Sequence, residues 1–246
     1  AENHGGMYRN LKLLRETNGQ AECNLFKAMG LAYVYVDKGN DIAALIETFK
    51  KVKDSKTPVV VHINTLKGKG YAPAEQNKEA WHYCAPFDIE TGKSLFVPTG
   101  EDYSSVTRDY LLEKMKKDPR VVAITSATPT VMGFTEDKRK EAGSQFIDVG
   151  IAEETAVAVA SGIAANGGKP VYGVYSTFVQ RTFDQISQDL CINNNPATIV
   201  TFWGSVYGMN DVTHLGLQDI PMLSNIPNLV YLAPTTKEEY LAMLDW

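Results

Sequence analysis

The sequence predicts an α/β protein built on a doubly wound parallel sheet, with a partial first domain and a nearly complete second one. Short β-branched runs alternate with helical stretches along most of the chain. The apolar strands read as continuous runs, the mark of strands covered on both faces. That alternation fails once, over residues 66–104, and the failure divides the chain.

Composition narrows the class. With 44% hydrophobic and 22% charged residues the chain is an ordinary globular one, which excludes disorder, collagen-like repeats and a disulfide scaffold. Lys and Arg number 24 against 29 Asp and Glu, a net charge of −5, the wrong sign for a dedicated nucleic-acid binder. Cys23, Cys84 and Cys191 lie far apart with no CxxC pair, so no structural zinc site is expected and a reducing, cytoplasmic setting is. No apolar run approaches the roughly 18 residues of a membrane helix. The polar opening from Ala1 has no secretory segment, and the chain reads as cut from a longer one.

The elements follow in order. Residues 9–30 read as one helical segment, with Leu11, Leu14, Leu25, Phe26 and Met29 apolar and Gly30 as its stop. A β run ends at Asp37, and 41–54 form an amphipathic helix with Ile42, Leu45, Ile46 and Phe49 on one face. The β-branched run 57–66 follows as a strand buried on both sides, completing a parallel crossover. Residues 66–104, rich in Gly, Pro, Lys and aromatics, carry the domain boundary, which puts 1–96 in the first domain and 97–246 in the second. The second series is helix 102–118, strand 120–127, short strand 145–150, and helix 152–167 closed by Gly167 and Gly168. Strand 169–176, helix 177–194, strands 196–203 and 228–236, and helix 237–246 complete it. Ligands of such sheets sit beyond the strand carboxyl ends, here Ser126, Gly150, Ser176, Trp203 and Pro234.

No P-loop, GxGxxG, GxSxG or HExxH motif is present. Glu153 and Glu154 fall at a strand–loop–helix junction, where acidic residues also serve the helix macrodipole; position alone leaves both readings open. Longer segments are more specific. Residues 148–157 (DVGIAEETAV) and 175–185 (YSTFVQRTFDQ) resemble the pyrimidine-binding domain of the thiamin-diphosphate enzymes of the transketolase superfamily, and within it the 1-deoxy-D-xylulose-5-phosphate synthase family. His62 to Glu75 resembles the end of that family's diphosphate-binding domain, and Pro86 to Lys93, Gly208 to His214 and the run from Asn228 extend the likeness.

The resemblance implies roles. Glu153, rather than Glu154, would hydrogen-bond the cofactor's pyrimidine nitrogen from a site apolar enough to raise the carboxyl's pKa. Phe178 would stack on the pyrimidine, flanked by Tyr175 and by Arg181, which is suited to a phosphate or carboxylate; Tyr71 would contact the cofactor. His82 and His214 would face the substrate and handle protons. Taken without the family, Phe178 is a helix core aromatic, Arg181 a surface arginine, Tyr71 a loop tyrosine and each histidine a solvated one. Thiamin diphosphate is the implied cofactor, with Mg²⁺ held by residues upstream of this chain and no metal ligand within it. The implied reaction joins pyruvate to glyceraldehyde 3-phosphate with loss of carbon dioxide, in a homodimer, toward isoprenoid, thiamin and pyridoxal synthesis. Transketolase-type transfer between sugar phosphates, a non-catalytic paralogue and a flavodoxin-like domain are the alternatives.

The chain departs from the family at defined places. Trp203 stands where the family has an arginine for the acceptor's phosphate, Asn210 where it has an aspartate, and Thr155 where it has a histidine. The loop Asp37 to Asp41 lacks another histidine. Trp for Arg removes a charge and a fork of donors, so the acceptor half of the site reads as altered while the cofactor half is kept.

Overall fold

The computed structural model describes residues 5–96, 99–204, 212–214 and 216–246. The chain forms two compact units, Ala1–Pro98 and Thr99–Trp246.

In the first unit, helix α1 (Gly6–Glu16) and the single turn α2 (Leu25–Ala28) replace the one long helix predicted over 9–30. Asn18 and Gly19 break it by entering the left-handed region, and a Cβ on Gly19 would lie 2.5 Å from Cβ of Tyr35. Asn24 then restarts it by accepting from the N–H groups of Phe26 and Lys27. Strands β1 (Ala32–Val36) and β2 (Val59–Ile63) pair in parallel across helix α3 (Ile42–Val52), capped by Asp41. One expectation is corrected: strand β2 is half-buried along its length instead of covered on both faces. Helix α3 forms as expected, and Ile42, Ile46 and Phe49 of its apolar stripe are exposed.

Residues 66–96 lack periodicity but not packing. Tyr71 precedes helix α4 (Ala72–Gln76) and meets Trp81 and Phe87 at 5.0 and 5.7 Å. Asp88 accepts from the backbone and hydroxyl of Thr91, which hold its carboxyl below the usual range and close the loop.

The second unit has the doubly wound architecture. Its four strands, β3 (Val121–Thr125), β4 (Phe146–Asp148), β5 (Lys169–Tyr175) and β6 (Thr198–Phe202), run parallel in the order β4-β3-β5-β6. Period-two alternation sorts their side chains to two faces. Ile124, Tyr172 and Val174 pack with helix α7 (Glu153–Ala165) and with Ile186 and Leu190. Val121, Ala123 and Phe202 pack on the other face with helix α5 (Tyr103–Lys117) and the buried Met132 and Phe134. Each such fully buried apolar side chain contributes about 1.5–3 kcal/mol. Helix α5 opens on a reciprocal Asp102–Ser105 capping box. Helix α6 (Glu136–Ala142) joins this layer unannounced by the sequence pattern, being too charged to show one.

The helix predicted over 177–194 is helical but changes pitch. Helix α8 (Ser176–Val179) gives way to a 3₁₀ turn (Gln180–Thr182), then α9 (Phe183–Gln185) and a π stretch (Ile186–Ile192). Thr182 contributes to the break, its hydroxyl donating to the carbonyl of Val179 at 2.6 Å. The strand predicted over 228–236 does not form. Val230, Tyr231 and Leu232 are exposed and join no ladder among the described residues, so Pro234 is not a strand end. Helices α10 (Asp219–Leu223) and α11 (Lys237–Asp245) complete the unit. Among the described residues no helix is long and apolar enough to cross a membrane.

Gly133 follows the 3₁₀ turn Pro129–Met132 with φ 75°, and a Cβ there would lie 2.6 Å from the Ser104 carbonyl of α5. Gly133→Ala is expected to lower stability by about 2–4 kcal/mol, combining left-handed strain with overpacking. Urea unfolding checks this, and a loss well under 1 kcal/mol would mean that α5 shifts freely.

Candidate active site

Because all four strands of the second unit are parallel, their carboxyl ends and the loops that follow share one edge. A single carboxylate organises part of it. Oδ1 of Asp148, at the end of β4, accepts from the N–H of Ala127 beyond β3 and of Gly150, each at 2.9 Å. Ala127 and Gly150 both have positive φ, 59° and 76°. The clamped turn delivers the chain to Glu153, the first residue of α7.

Glu153 is 2% exposed and Glu154 is exposed. Helical spacing explains the difference: Glu153 shares the stripe of Ala156, Val157, Ala160 and Ala164, which faces the core. Its Oε1 accepts from Nη1 of Arg181 at 2.7 Å. A guanidinium thus pairs with this buried carboxylate. Arg181, half exposed, also lies over the Phe178 ring at 5.4 Å.

Three rings stand beside this pair. Tyr175 at the end of β5, Phe178 on α8 and His214 meet edge-on at centroid distances of 5.3 Å (Tyr175–Phe178), 5.5 Å (Tyr175–His214) and 5.3 Å (Phe178–His214). His214 ends a 3₁₀ turn (Val212–His214), and its Nδ1 lies 2.8 Å from Oγ1 of Thr213. The structure thus gathers Glu153, Tyr175, Phe178, Arg181 and His214 at one edge. Tyr71 and His82 belong to the first unit. There the Tyr71 hydroxyl donates to the Ile89 carbonyl at 3.1 Å, and Nδ1 of the exposed His82 lies 2.6 Å from Nζ of Lys67.

Of the departures, Trp203 lies one residue past β6, level with Ser176 by register, 49% exposed and with φ 60°. Thr155 is exposed on α7. Asn210, with Ser205 and Asp211, lies outside the described residues.

Several polar groups near this edge make contacts that sequence reasoning does not reach. Ser176 is buried, and its Oγ has no hydrogen-bond partner among the described residues. Asp219 is buried and accepts from the Tyr231 hydroxyl at 2.9 Å; burial first, then Asp219, pushes that hydroxyl up to about 12. Ser126 and Tyr172 share a buried hydrogen bond of 2.8 Å. Thr177 donates to the carbonyl of Thr213. Of these, Ser176 and Thr177 carry a signal in the sequence, standing where a strand passes directly into a helix; the others depend on tertiary contact.

A parallel sheet covered by helices on both faces, with a buried, cation-paired carboxylate and clustered rings at its carboxyl edge, defines an α/β domain of the doubly wound class. The chain belongs to the family described as transketolase, pyrimidine binding domain, whose model matches residues 100–246. A second model, 1-deoxy-D-xylulose-5-phosphate synthase, matches residues 6–65. The chain is 40% identical over 221 residues to 1-deoxy-D-xylulose-5-phosphate synthase 1 of Geobacter sulfurreducens, covering 89% of this chain and 34% of that protein. It is 41% identical over 222 residues to the 1-deoxy-D-xylulose-5-phosphate synthase of Natranaerobius thermophilus, covering 90% and 35%. The chain thus spans about a third of the length of these relatives. In fold it resembles transketolase from Leishmania mexicana, with a TM-score of 0.52 at 17% identity over 61% of this chain and 24% of that one.

Removing Arg181 strands the buried Glu153 carboxylate, while removing Glu153 leaves the half-exposed Arg181 to solvent. In a double-mutant cycle of Glu153→Gln and Arg181→Met, read by urea unfolding, a coupling of about 1–3 kcal/mol is expected. Additivity of the two losses would show that the pair holds nothing.

Proposed function

We propose that this chain serves a thiamin-diphosphate-dependent transferase that condenses pyruvate with glyceraldehyde 3-phosphate, releasing carbon dioxide and forming 1-deoxy-D-xylulose 5-phosphate. The observation that carries this reading is the buried Glu153 carboxylate beside the ring cluster of Tyr175, Phe178 and His214. A carboxylate at the edge of aromatic faces suits an aminopyrimidine, which needs one hydrogen-bond partner for a ring nitrogen and one apolar face for stacking. The two family matches support the same conclusion.

In this reading Glu153 holds the proton at the pyrimidine nitrogen and Phe178 supports the ring face. Arg181 orients Glu153 through their ion pair. His214 and His82 exchange protons with the substrate, and Tyr71 contacts the cofactor. When bound, the cofactor supplies the electron sink for the carbanion formed on decarboxylation. Mg²⁺, held by residues outside this chain, carries the diphosphate charge. A cytoplasmic homodimer, feeding isoprenoid, thiamin and pyridoxal synthesis, is the setting that fits this activity.

The test uses the complete protein as encoded, with Mg²⁺ and thiamin diphosphate. Carbon dioxide release from pyruvate is expected to rise when glyceraldehyde 3-phosphate is added, and Glu153→Gln to lower turnover about 10²–10⁴-fold. Transfer from a ketose phosphate without gas release would instead indicate transketolase chemistry, and inertness with both donors a non-catalytic paralogue.

A further inference from the structure

A glycine stands either where the backbone turns left-handed or where a neighbouring atom takes the place of a side chain. Gly216 is of the second kind. Its φ lies outside the left-handed region, so an alanine there would meet no such backbone strain. It would meet atoms instead. A Cβ on Gly216 would lie 2.1 Å from Oγ and 2.4 Å from Cβ of Ser176, and 3.0 Å from Cα of Gly204. The first of these misses van der Waals contact by more than an ångström.

Both neighbours belong to strand ends. Ser176 directly follows β5, and Gly204 comes two residues after β6. Gly204 is itself closely covered, since a Cβ on it would lie 3.4 Å from Oγ of Ser176 and 3.3 Å from Oδ2 of Asp219. Gly216 therefore rests on the carboxyl ends of two paired strands. His214 stands two residues before it, and the rings that His214 meets, Tyr175 and Phe178, stand on either side of Ser176 and Thr177.

We infer that Gly216 is a positioning residue: having no side chain, it lets the segment that carries His214 seat on Ser176 and Gly204, and this seat sets how close His214 stands to Tyr175 and Phe178. Of the two sides of the contact, the Gly216 side is the one free to yield. Ser176 continues a strand paired on both edges, with β3 and with β6, whereas Gly216 joins no helix or strand. The catalytic value of the seat rests on the reading above that His214 exchanges protons with substrate; the seat itself does not.

A size swap in the complete protein as encoded tests the contact. Crystal structures of the wild type, Gly216→Ala, Ser176→Gly and the double variant give the distances of His214 from Tyr175 and Phe178, here 5.5 and 5.3 Å. At least one is expected to lengthen by about 1 Å in Gly216→Ala, because overpacking is relieved by backbone shifts. The double variant, which lacks the Oγ and Cβ of Ser176, restores both distances, and Ser176→Gly alone leaves them in place. Ser176→Gly removes no hydrogen bond of that Oγ among the described residues. A Gly216→Ala structure in which Ser176 moves and His214 keeps its place overturns the inference. Should Gly216→Ala fail to fold, the double variant decides: folded with His214 in its wild-type place it supports the inference, and unfolded or with His214 displaced it overturns it.

Turnover with cofactor, Mg²⁺ and pyruvate separates the seat from the reaction. Gly216→Ala is expected to lower kcat about 10–10²-fold with KM for pyruvate little changed, as a small misplacement of a reacting group does, and the double variant to recover most of the loss. An active wild type whose kcat is unaffected by Gly216→Ala overturns the positioning role. A wild type inert with pyruvate sinks the proposed reaction, and the distances alone then decide the inference.

Discussion

A carboxylate on the buried stripe of an apolar helix has to be matched, because an unpaired charge out of water costs several kcal/mol. Glu153 sits on such a stripe, and much of the second unit's carboxyl edge can be traced to how it is matched. The cation comes from Arg181, 28 residues on, beyond a whole strand. It arrives at that point because the helical run after β5 tightens to a 3₁₀ turn at Gln180–Thr182 before loosening into a π stretch. A uniform α-helix would present residue 181 at another angle. Changes of pitch of this kind often accompany functional sites, and here the change falls on the residue that pairs with the buried acid.

The rings are placed by a different economy. Tyr175 ends a central strand, so the sheet fixes it; Phe178 follows one helical turn later, so Tyr175 fixes Phe178 in turn. His214 comes from a distant segment and is held against them by edge contacts and by the Thr177–Thr213 tie. Two of the three rings are thus carried by the most regular part of the fold, the part whose geometry is least free to drift.

Much of this was legible in the residues. The β-branched runs around Ala32–Val36, Val59–Ile63, Val121–Thr125, Lys169–Tyr175 and Thr198–Phe202 all became strands, because apolar runs of that length between helical segments have few other ways to bury themselves. The family resemblance, not spacing, separates Glu153 from Glu154; in the structure Glu153 is buried because it lies three, four and seven residues before Ala156, Val157 and Ala160. The failures have causes too. The run from Asn228 has strand composition, but composition cannot say whether a partner edge is present, and none of the described strands takes it up. Helix 9–30 looked continuous because nothing in its periodicity reveals that Gly19 lies against Tyr35. The Thr177–Thr213 and Asp219–Tyr231 contacts join residues far apart in sequence, and no local pattern encodes them.

The Asp148 clamp has a consequence for how the edge opens. One oxygen accepts from the N–H groups of both Ala127 and Gly150, which ties the ends of β3 and β4 together across an exposed turn. A change at Asp148 therefore loosens the two strand ends together, just ahead of the turn that leads to Glu153.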